Sequence, residues 1–228
     1  MNAYNKIDNK LRSLYGYRDT LTFSDLIRKT AAVNYIVRKY EDDLIDYARL
    51  RNAIVHKRSK GDEVIAEPHK STVDIMESIA KLISTPPGAF KFARSSVITF
   101  PHDTRLKEIV ASMGKYGYSN IPIMKDGAIL GVINNKQIIE ELGKSLLNKK
   151  TADSFIYNTY AGDILANDGK HFTLLKKNAS IEQVLNLFRN NQKLRAVIFT
   201  DTGTNLGRPL GIITSGDLLE LNAELDKF

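Results

Sequence analysis

The same strand-to-helix corner occurs twice in this chain. GVINNKQIIEEL begins at Gly131, and GIITSGDLLEL begins at Gly211. Each stretch starts with a glycine and two β-branched residues, passes through a short polar patch, and resumes with an apolar pair and a glutamate. This repetition predicts two copies of one structural unit, and the copies are expected to pack together because each is small for independent stability.

The apolar pattern predicts a β-α-β-β-α order in each copy. The first copy has expected strands at 97–100, 121–124 and 128–133, a helix around 106–113, and a closing helix from Lys136. The second copy has expected strands at 172–175, 196–199 and 210–213, a helix around 181–188, and a closing helix from Asp217. Equal spacing from the preceding helix aligns Ile121 with Ala196, and Asp126-Gly127 is a hairpin-turn signal.

The segment before the repeats is predicted to be helical. Apolar residues recur at intervals of three and four, which is typical of amphipathic helices, over 7–14, 24–55 and 73–83. Pro86 and Pro87 then forbid a continuing helix and predict a domain boundary.

The expected fold class is therefore α+β, with an N-terminal α-helical bundle followed by two β-α-β-β-α repeats packed as a pseudo-two-fold pair. The predicted domains are the bundle at 1–88, the first repeat at 89–150 and the second repeat at 151–228.

Composition excludes several classes of site. The 228 residues include no cysteine, which excludes disulfides and thiolate metal sites, and the four histidines lack ligand-like spacing, so no metal is expected. The net charge of +7 is divided into +3 for residues 1–90 and +4 for residues 91–228, which favours an anionic ligand over a nucleic-acid surface. No apolar run could span a membrane, and the N-terminus is too polar for a secretory signal, so a soluble cytoplasmic protein is expected.

The repeated unit resembles the CBS domain, named after cystathionine β-synthase, and two in tandem resemble the CBS pair, or Bateman module. The resemblance rests on YSNIPIMKDGAILGVI in the first copy, on LGIITSGDLLEL in the second, and on YAGDILA at 160–166, which is similar to the short helix that introduces a second copy. It covers roughly residues 93–224. The resemblance implies that an adenine nucleotide (AMP, ADP, ATP or S-adenosylmethionine) binds between the copies as a regulatory ligand, and that the protein is a homodimer.

On this resemblance, the ligand would be held mainly by the corner of the second copy. Thr214 would hold phosphate at the start of a helix, and Asp217 would accept hydrogen bonds from the ribose hydroxyls. The other expected cofactor-binding residues are Ser215 beside Thr214 and the residues around the adenine, namely Arg195, Ala196, Val197 and Ile212.

A capping box explains the same Thr-x-x-Asp spacing without any ligand, so both interpretations stay open. At the matching positions the first copy has Asn134 and Gln137. Glutamine cannot provide the anionic acceptor that ribose hydroxyls favour, so we expect one competent site per chain and a weak or empty second one. Lys136 is either a phosphate contact or a solvated surface lysine.

The helical segment contains RLRNAIVHKR, in which Arg51, Asn52 and His56 resemble the R-x4-6-H motif of HEPN domains. These α-helical bundles occur in prokaryotic RNases and in many noncatalytic modules. In an RNase, the resemblance implies that His56 is the general acid or base and that Arg51 stabilises the charged phosphorane, without a metal. On one helix these two residues lie about 140° apart, so a dimer or a local break would be required.

Structural roles compete with this RNase hypothesis. Arg51 could pair with Asp43 or Asp46, and His56 could cap its helix. EDDLID at 41–46 is interpreted as a solvated acidic face rather than a metal site.

Together, these patterns favour a regulatory protein over an enzyme: a CBS pair senses an adenine nucleotide and signals to the helical domain or to a protein partner. The alternatives are a nucleotide-gated RNase acting on RNA and a scaffold with an empty cleft.

Overall fold

The computed structural model describes residues 2–17, 20–56, 67–165 and 171–227. The chain forms two compact units. The helical unit comprises Met1–Gly88, Ser180–Asn186 and Leu221–Phe228, and the sheet unit comprises Ala89–Ala179 and Leu187–Glu220. Each unit is thus built from more than one stretch of the sequence.

Five helices lie in the described residues of the N-terminal part of the helical unit. They are α1 (Asn2–Tyr15), α2 (Phe23–Ala31), α3 (Tyr35–Lys39), α4 (Glu41–His56) and α5 (Lys70–Ser84). Their shared core includes the fully buried side chains of Ile7, Leu11, Leu26, Ile27 and Leu44.

The helical stripe predicted over 24–55 is divided among α2, α3 and α4, because the chain breaks twice in this stretch. Asn34 is extended, with φ −121°, and its side chain accepts a hydrogen bond from Val37 N at the start of α3. A second break follows at Tyr40, where φ is −112° and ψ is 23°. The first break leaves Val33 outside any helix and 47% exposed, although the pattern predicted it in the core.

Outside the gap at 166–170, the described residues of the sheet unit form two three-stranded sheets with the same topology. One sheet contains β1 (Phe100–Pro101), β2 (Asn120–Lys125) and β3 (Ala128–Asn134), and the other contains β4 (Phe172–Lys176), β5 (Ala196–Thr200) and β6 (Pro209–Thr214). In each sheet the first strand runs parallel to the second, and the second runs antiparallel to the third.

The remaining helices connect or follow these strands. They are α6 (Leu106–Tyr116), α7 (Asn135–Leu147), α8 (Ala152–Asn158), α9 (Ala161–Ile164), α10 (Ile181–Asn190) and α11 (Leu218–Leu225). The predicted strand at 97–100 is shortened to Phe100–Pro101, and the sequence pattern did not predict α8. The predicted hairpin turn is confirmed, because Asp126 and Gly127 both have positive φ angles, of 50° and 79°.

The two hairpins share a register that differs by one residue from the predicted alignment. Ile121 lies opposite Ile133, and Val197 lies opposite Ile213. Each hairpin also has a bulge two residues further along, after Ile123 and after Phe199. Ile121 and Val197 therefore occupy equivalent positions in the two copies, because strand pairing, and not the spacing from the preceding helix, fixes the register.

Apolar side chains from both sheets form one cluster within the sheet unit. Ile129 and Val132 of β3 pack with Ala196, Ile198 and Ile212 of β5 and β6. The longer second hairpin adds a backbone contact, because the Asn205 carbonyl accepts a 2.7 Å hydrogen bond from Ile129 N. In the described part of the chain, no helix is long and apolar enough to cross a membrane.

Candidate functional site

The corner of the second copy lies where β6 ends and a helix begins. Thr214 is the last residue of β6 and pairs with Ala196 of β5. Ser215–Asp217 form a single 3-10 turn, and α11 follows from Leu218. The strand-to-helix transition predicted from the sequence is therefore present at Thr214.

The carboxylate of Asp217 turns back onto Thr214. Its Oδ2 accepts one hydrogen bond from the Thr214 backbone N at 2.7 Å and another from the Thr214 hydroxyl at 2.9 Å. Both residues are half-buried. In the described residues, the hydrogen bonds of Asp217 end on Oδ2, so Oδ1 retains its accepting capacity. The capping arrangement that competed with ligand binding is thus formed, and it uses one of the two carboxylate oxygens.

The apolar residues expected around an adenine fall on two faces of the sheet. Ala196 and Ile212 belong to the cluster between the sheets, and their exposed fractions are 0% and 7%. Val197 is also fully buried, but alternation along β5 directs it to the face opposite Ala196. The structure therefore brings Ala196 and Ile212 together and separates Val197 from them.

Arg195 extends from the corner of the second copy to the corner of the first. Its backbone immediately precedes Ala196 and is fixed by a 2.8 Å hydrogen bond to the His171 carbonyl. Its guanidinium Nη1 donates a 2.9 Å hydrogen bond to Oε1 of Gln137. Arg195 was predicted at the rim of an adenine site, and no local pattern in the sequence indicated this contact.

The corner of the first copy is occupied by its own side chains. Asn134 caps α7 and accepts hydrogen bonds from Lys136 N at 2.9 Å and from Gln137 N at 3.4 Å. Gln137 is 6% exposed, and its Nε2 donates a hydrogen bond to the Ile164 carbonyl. Lys136 points outward and lies 3.8 Å from a carboxylate oxygen of Glu140. The buried amide of Gln137 therefore occupies the position that matches Asp217 of the second copy, and both its oxygen and its nitrogen are hydrogen-bonded.

Comparison with models of protein families identifies the two repeats. The family model described as CBS domain matches residues 89–144 and 162–224, slightly more than half of the chain. The chain belongs to the CBS domain family. Its two matched regions form a tandem CBS pair, preceded by helices that the family model does not cover.

Several solved structures are similar to this chain. Protein MJ1225 from Methanocaldococcus jannaschii is 20% identical over 77% of this chain and 63% of its own, with a TM-score of 0.49. The chain thus spans 63% of the length of MJ1225.

Two further solved structures are described as nucleotide complexes. CBSX2 in complex with AMP is 15% identical over 61% of this chain and 98% of its own, with a TM-score of 0.46. The CBS domain of the bacterial CNNM/CorC family Mg2+ transporter in complex with ATP is 16% identical over 67% and 97%, with a TM-score of 0.47. No curated protein matches the chain.

The HEPN-like motif lies on α4, outside the CBS pair. Arg51 Nη1 donates a 3.2 Å hydrogen bond to Asn52 Oδ1, and its guanidinium lies 5.2 Å from the centre of the Tyr4 ring. Of the two acids considered as alternative partners of Arg51, Asp46 accepts from Arg49 at 2.9 Å, and among the described residues neither Asp46 nor Asp43 forms an ion pair with Arg51. His56 ends α4, and its side chain lies outside the described residues. The HEPN-like assignment stays a prediction.

Arg51 also lines a cavity of about 380 Å³ within the helical unit. Tyr4, Tyr47, Leu50 and Met76 form part of its largely apolar wall. Among the described residues, no group of three or more histidine, aspartate or glutamate side chains is arranged to hold a metal ion, and this includes the acidic stretch at 41–46.

Glu182 is a half-buried acid in the part of α10 that belongs to the helical unit. Burial raises the pKa of its carboxyl group, and hydrogen bonds from Tyr35 N and from the Asn186 side chain oppose this shift in part. Asn186 also donates a 2.9 Å hydrogen bond to the Val33 carbonyl. This carboxyl group is therefore a structural element of the helical unit whose charge state depends on pH.

Proposed function

We propose that the CBS pair binds one adenine nucleotide at the corner formed by Thr214 and Asp217, and that binding regulates the helical unit or a protein partner. The observation that carries this proposal is the half-buried Asp217 carboxylate, which is oriented by two hydrogen bonds to Oδ2 and keeps Oδ1 for a ligand. A carboxylate held in this way is a strong acceptor for a pair of ribose hydroxyls.

Each side of the ligand would meet a different chemical surface. The turn at Ser215–Asp217 offers backbone N–H groups to phosphate beside the Thr214 hydroxyl. Ala196 and Ile212 are the apolar residues proposed to contact the adenine ring, and since both are buried in the cluster between the sheets, the ring would have to part that cluster to reach them. The net charge of +7 also favours an anionic ligand.

The ligand class is an adenosine compound: AMP, ADP, ATP or S-adenosylmethionine. CBSX2 and the CNNM/CorC transporter domain are described in complex with AMP and ATP, respectively, and we extend that class to this chain as part of the proposal. We expect one site per chain, because Gln137 replaces the acid in the first copy and is already buried and hydrogen-bonded.

The regulatory output is proposed to pass through α11. This helix begins directly after the corner, and its residues from Leu221 onward belong to the helical unit. A ligand can shift such an equilibrium only by its difference in affinity for the two states. The proposed assembly is a homodimer, which analytical ultracentrifugation with and without nucleotide would test.

Isothermal titration calorimetry with AMP, ATP and S-adenosylmethionine tests the binding site. We expect one site per chain, and Asp217→Ala should weaken binding roughly tenfold to a hundredfold, as expected for the loss of hydrogen bonds to a charged group. Asp163→Ala is the matched control, because Asp163 makes the same kind of backbone capping contact, at 2.9 Å to Tyr160 N, in α9. Two equal sites per chain, or unchanged affinity in Asp217→Ala, would contradict the proposal.

A further inference from the structure

The buried amide of Gln137 connects the two corners of the CBS pair through Arg195. Oε1 of Gln137 accepts from the Arg195 guanidinium, and Nε2 donates to the Ile164 carbonyl. The guanidinium has only donors and the carbonyl only accepts, so these partners fix which way the amide points. Gln137 is therefore held in a single orientation.

The backbone of Arg195 lies beside the corner of the second copy. It immediately precedes Ala196, which lies opposite Thr214 in the sheet, so its backbone is adjacent to the proposed binding site. Its side chain then extends to Gln137, 58 residues earlier in the sequence. Arg195 thus begins at the second corner and ends at the first.

The neutrality of Gln137 has an electrostatic consequence. Within the described part of the chain, the Arg195 guanidinium bonds to this amide and forms no ion pair with a carboxylate. An acid at position 137 would form an ion pair with Arg195 and cancel most of its field. An amide can orient the guanidinium by a hydrogen bond and leave its full positive charge available to an anion.

We propose that Gln137 is a positioning residue, and that it holds Arg195 in the cleft with its charge intact. Arg195 thereby makes the second-copy site prefer phosphate-bearing nucleotides over uncharged nucleosides. This inference rests on the proposed function, and it gives the first-copy corner a role in binding although that corner is expected to bind nucleotide weakly or not at all.

Calorimetry on the full chain with adenosine, AMP and ATP tests this inference. We expect Gln137→Glu to lower the affinity for AMP relative to adenosine by about tenfold or more, since it places a carboxylate against Arg195. The loss should be larger for ATP, and the affinity for adenosine should stay within about twofold of the wild-type value. Gln192→Glu makes the same chemical change at an exposed position and should leave the ratio unaltered.

A second variant separates charge pairing from general damage to the fold. Arg195→Gln alone should lower the ratio of AMP affinity to adenosine affinity. Adding Gln137→Glu to this variant should then lower the ratio little further, because the two changes act on one interaction. Thermal unfolding of each variant verifies that it is folded.

The outcomes distinguish this inference from the proposed function. A wild-type protein that binds AMP and ATP no better than adenosine overturns the role of Arg195. An unchanged ratio in Gln137→Glu, or an equal further loss in the Arg195→Gln background, overturns the role of Gln137. If the wild-type protein binds no adenosine compound at all, the proposed function fails, and this inference fails with it.

Discussion

The hydroxyl of Tyr35 donates a 2.8 Å hydrogen bond to Oδ1 of Asn222, although the two residues are 187 positions apart in the sequence. Tyr40 reinforces this contact by donating to the Leu225 carbonyl at 3.1 Å. Within the helical unit, these bonds fix α3 to the second half of α11.

Replacing Tyr35 with phenylalanine is expected to lower the free energy of unfolding by about 1 kcal/mol, because the hydrogen bond from the Tyr35 hydroxyl to Asn222 is lost. Urea denaturation would measure the change. Tyr47→Phe is the matched control, since the Tyr47 hydroxyl has no hydrogen bond among the described residues. An equal loss in both variants would show that the Tyr35 contact adds nothing of its own.

Asp217 is expected to stabilise the free protein as well as to bind ligand. Asp217→Ala should reduce the free energy of unfolding by about 1 kcal/mol in the absence of nucleotide, because the Thr214 N–H loses its acceptor. Asp163→Ala should cost a similar amount. Differential scanning fluorimetry with saturating AMP then separates the two roles. AMP should raise the melting temperature of Asp163→Ala as much as that of the wild type and raise that of Asp217→Ala by clearly less.

Glu182 is expected to make the stability of the protein depend on pH. Burial raises the pKa of this carboxyl group in the folded state, so the folded protein binds the proton more tightly than the unfolded chain does. Its contribution is therefore complete below the unfolded pKa and is lost as pH rises through the folded pKa.

Urea denaturation across the acidic to neutral range would measure this effect. Glu182→Gln should show a flatter dependence of unfolding free energy on pH than the wild type, because glutamine does not titrate. Glu108→Gln, at an exposed position in α6, should retain the wild-type slope. If the unfolding free energy depended on pH identically in all three proteins, the pKa of Glu182 would not be raised by folding.

Two glycines are expected to respond oppositely to alanine. A Cβ at Gly131 in β3 would overlap a methyl group of the buried Leu165, and overpacking of this kind costs about 1–3 kcal/mol. Gly143 lies inside α7, and among the described residues nothing beyond its chain neighbours and the backbone of its own helix lies within 4 Å of the place that a Cβ would occupy, so Gly143→Ala should stabilise the protein by up to about 1 kcal/mol through helix propensity. Thermal denaturation would show whether each variant is more or less stable than the wild type, and a stabilised Gly131→Ala would contradict the packing argument.

Local patterns in the sequence predicted the strands and corners of the CBS pair well. Alternating apolar residues, the Asp126-Gly127 turn and the polar residues after β3 and β6 are all short-range signals. The break between α2 and α3 was missed because Ala32, Val33 and Asn34 include neither glycine nor proline. Asparagine is a common N-cap, but within an otherwise continuous apolar stripe it does not mark a break by itself.

The candidate site contains both local contacts, which the sequence can reveal, and distant contacts, which it cannot. The Thr-x-x-Asp spacing was readable, and it placed Thr214 and Asp217 together as the structure does. The contact between Gln137 and Arg195 spans 58 residues and two copies of the repeat, so no local pattern could reveal it. The face of the sheet on which the Val197 side chain lies depends on the strand register. The register is set by the pairing of β5 with β6, and the spacing from the preceding helix does not determine it.

The membership of α11 in two units limits how this protein can be dissected. Leu221 and Leu225 are fully buried and belong to the helical unit, although they lie at the far end of the chain. A fragment that stops at Gly88 would lack both leucines and expose the apolar surface that they cover, and such a surface invites aggregation. A tag or fusion that disturbs α11 would therefore also destabilise the N-terminal helices. Experiments on the two halves expressed separately would describe incompletely folded fragments.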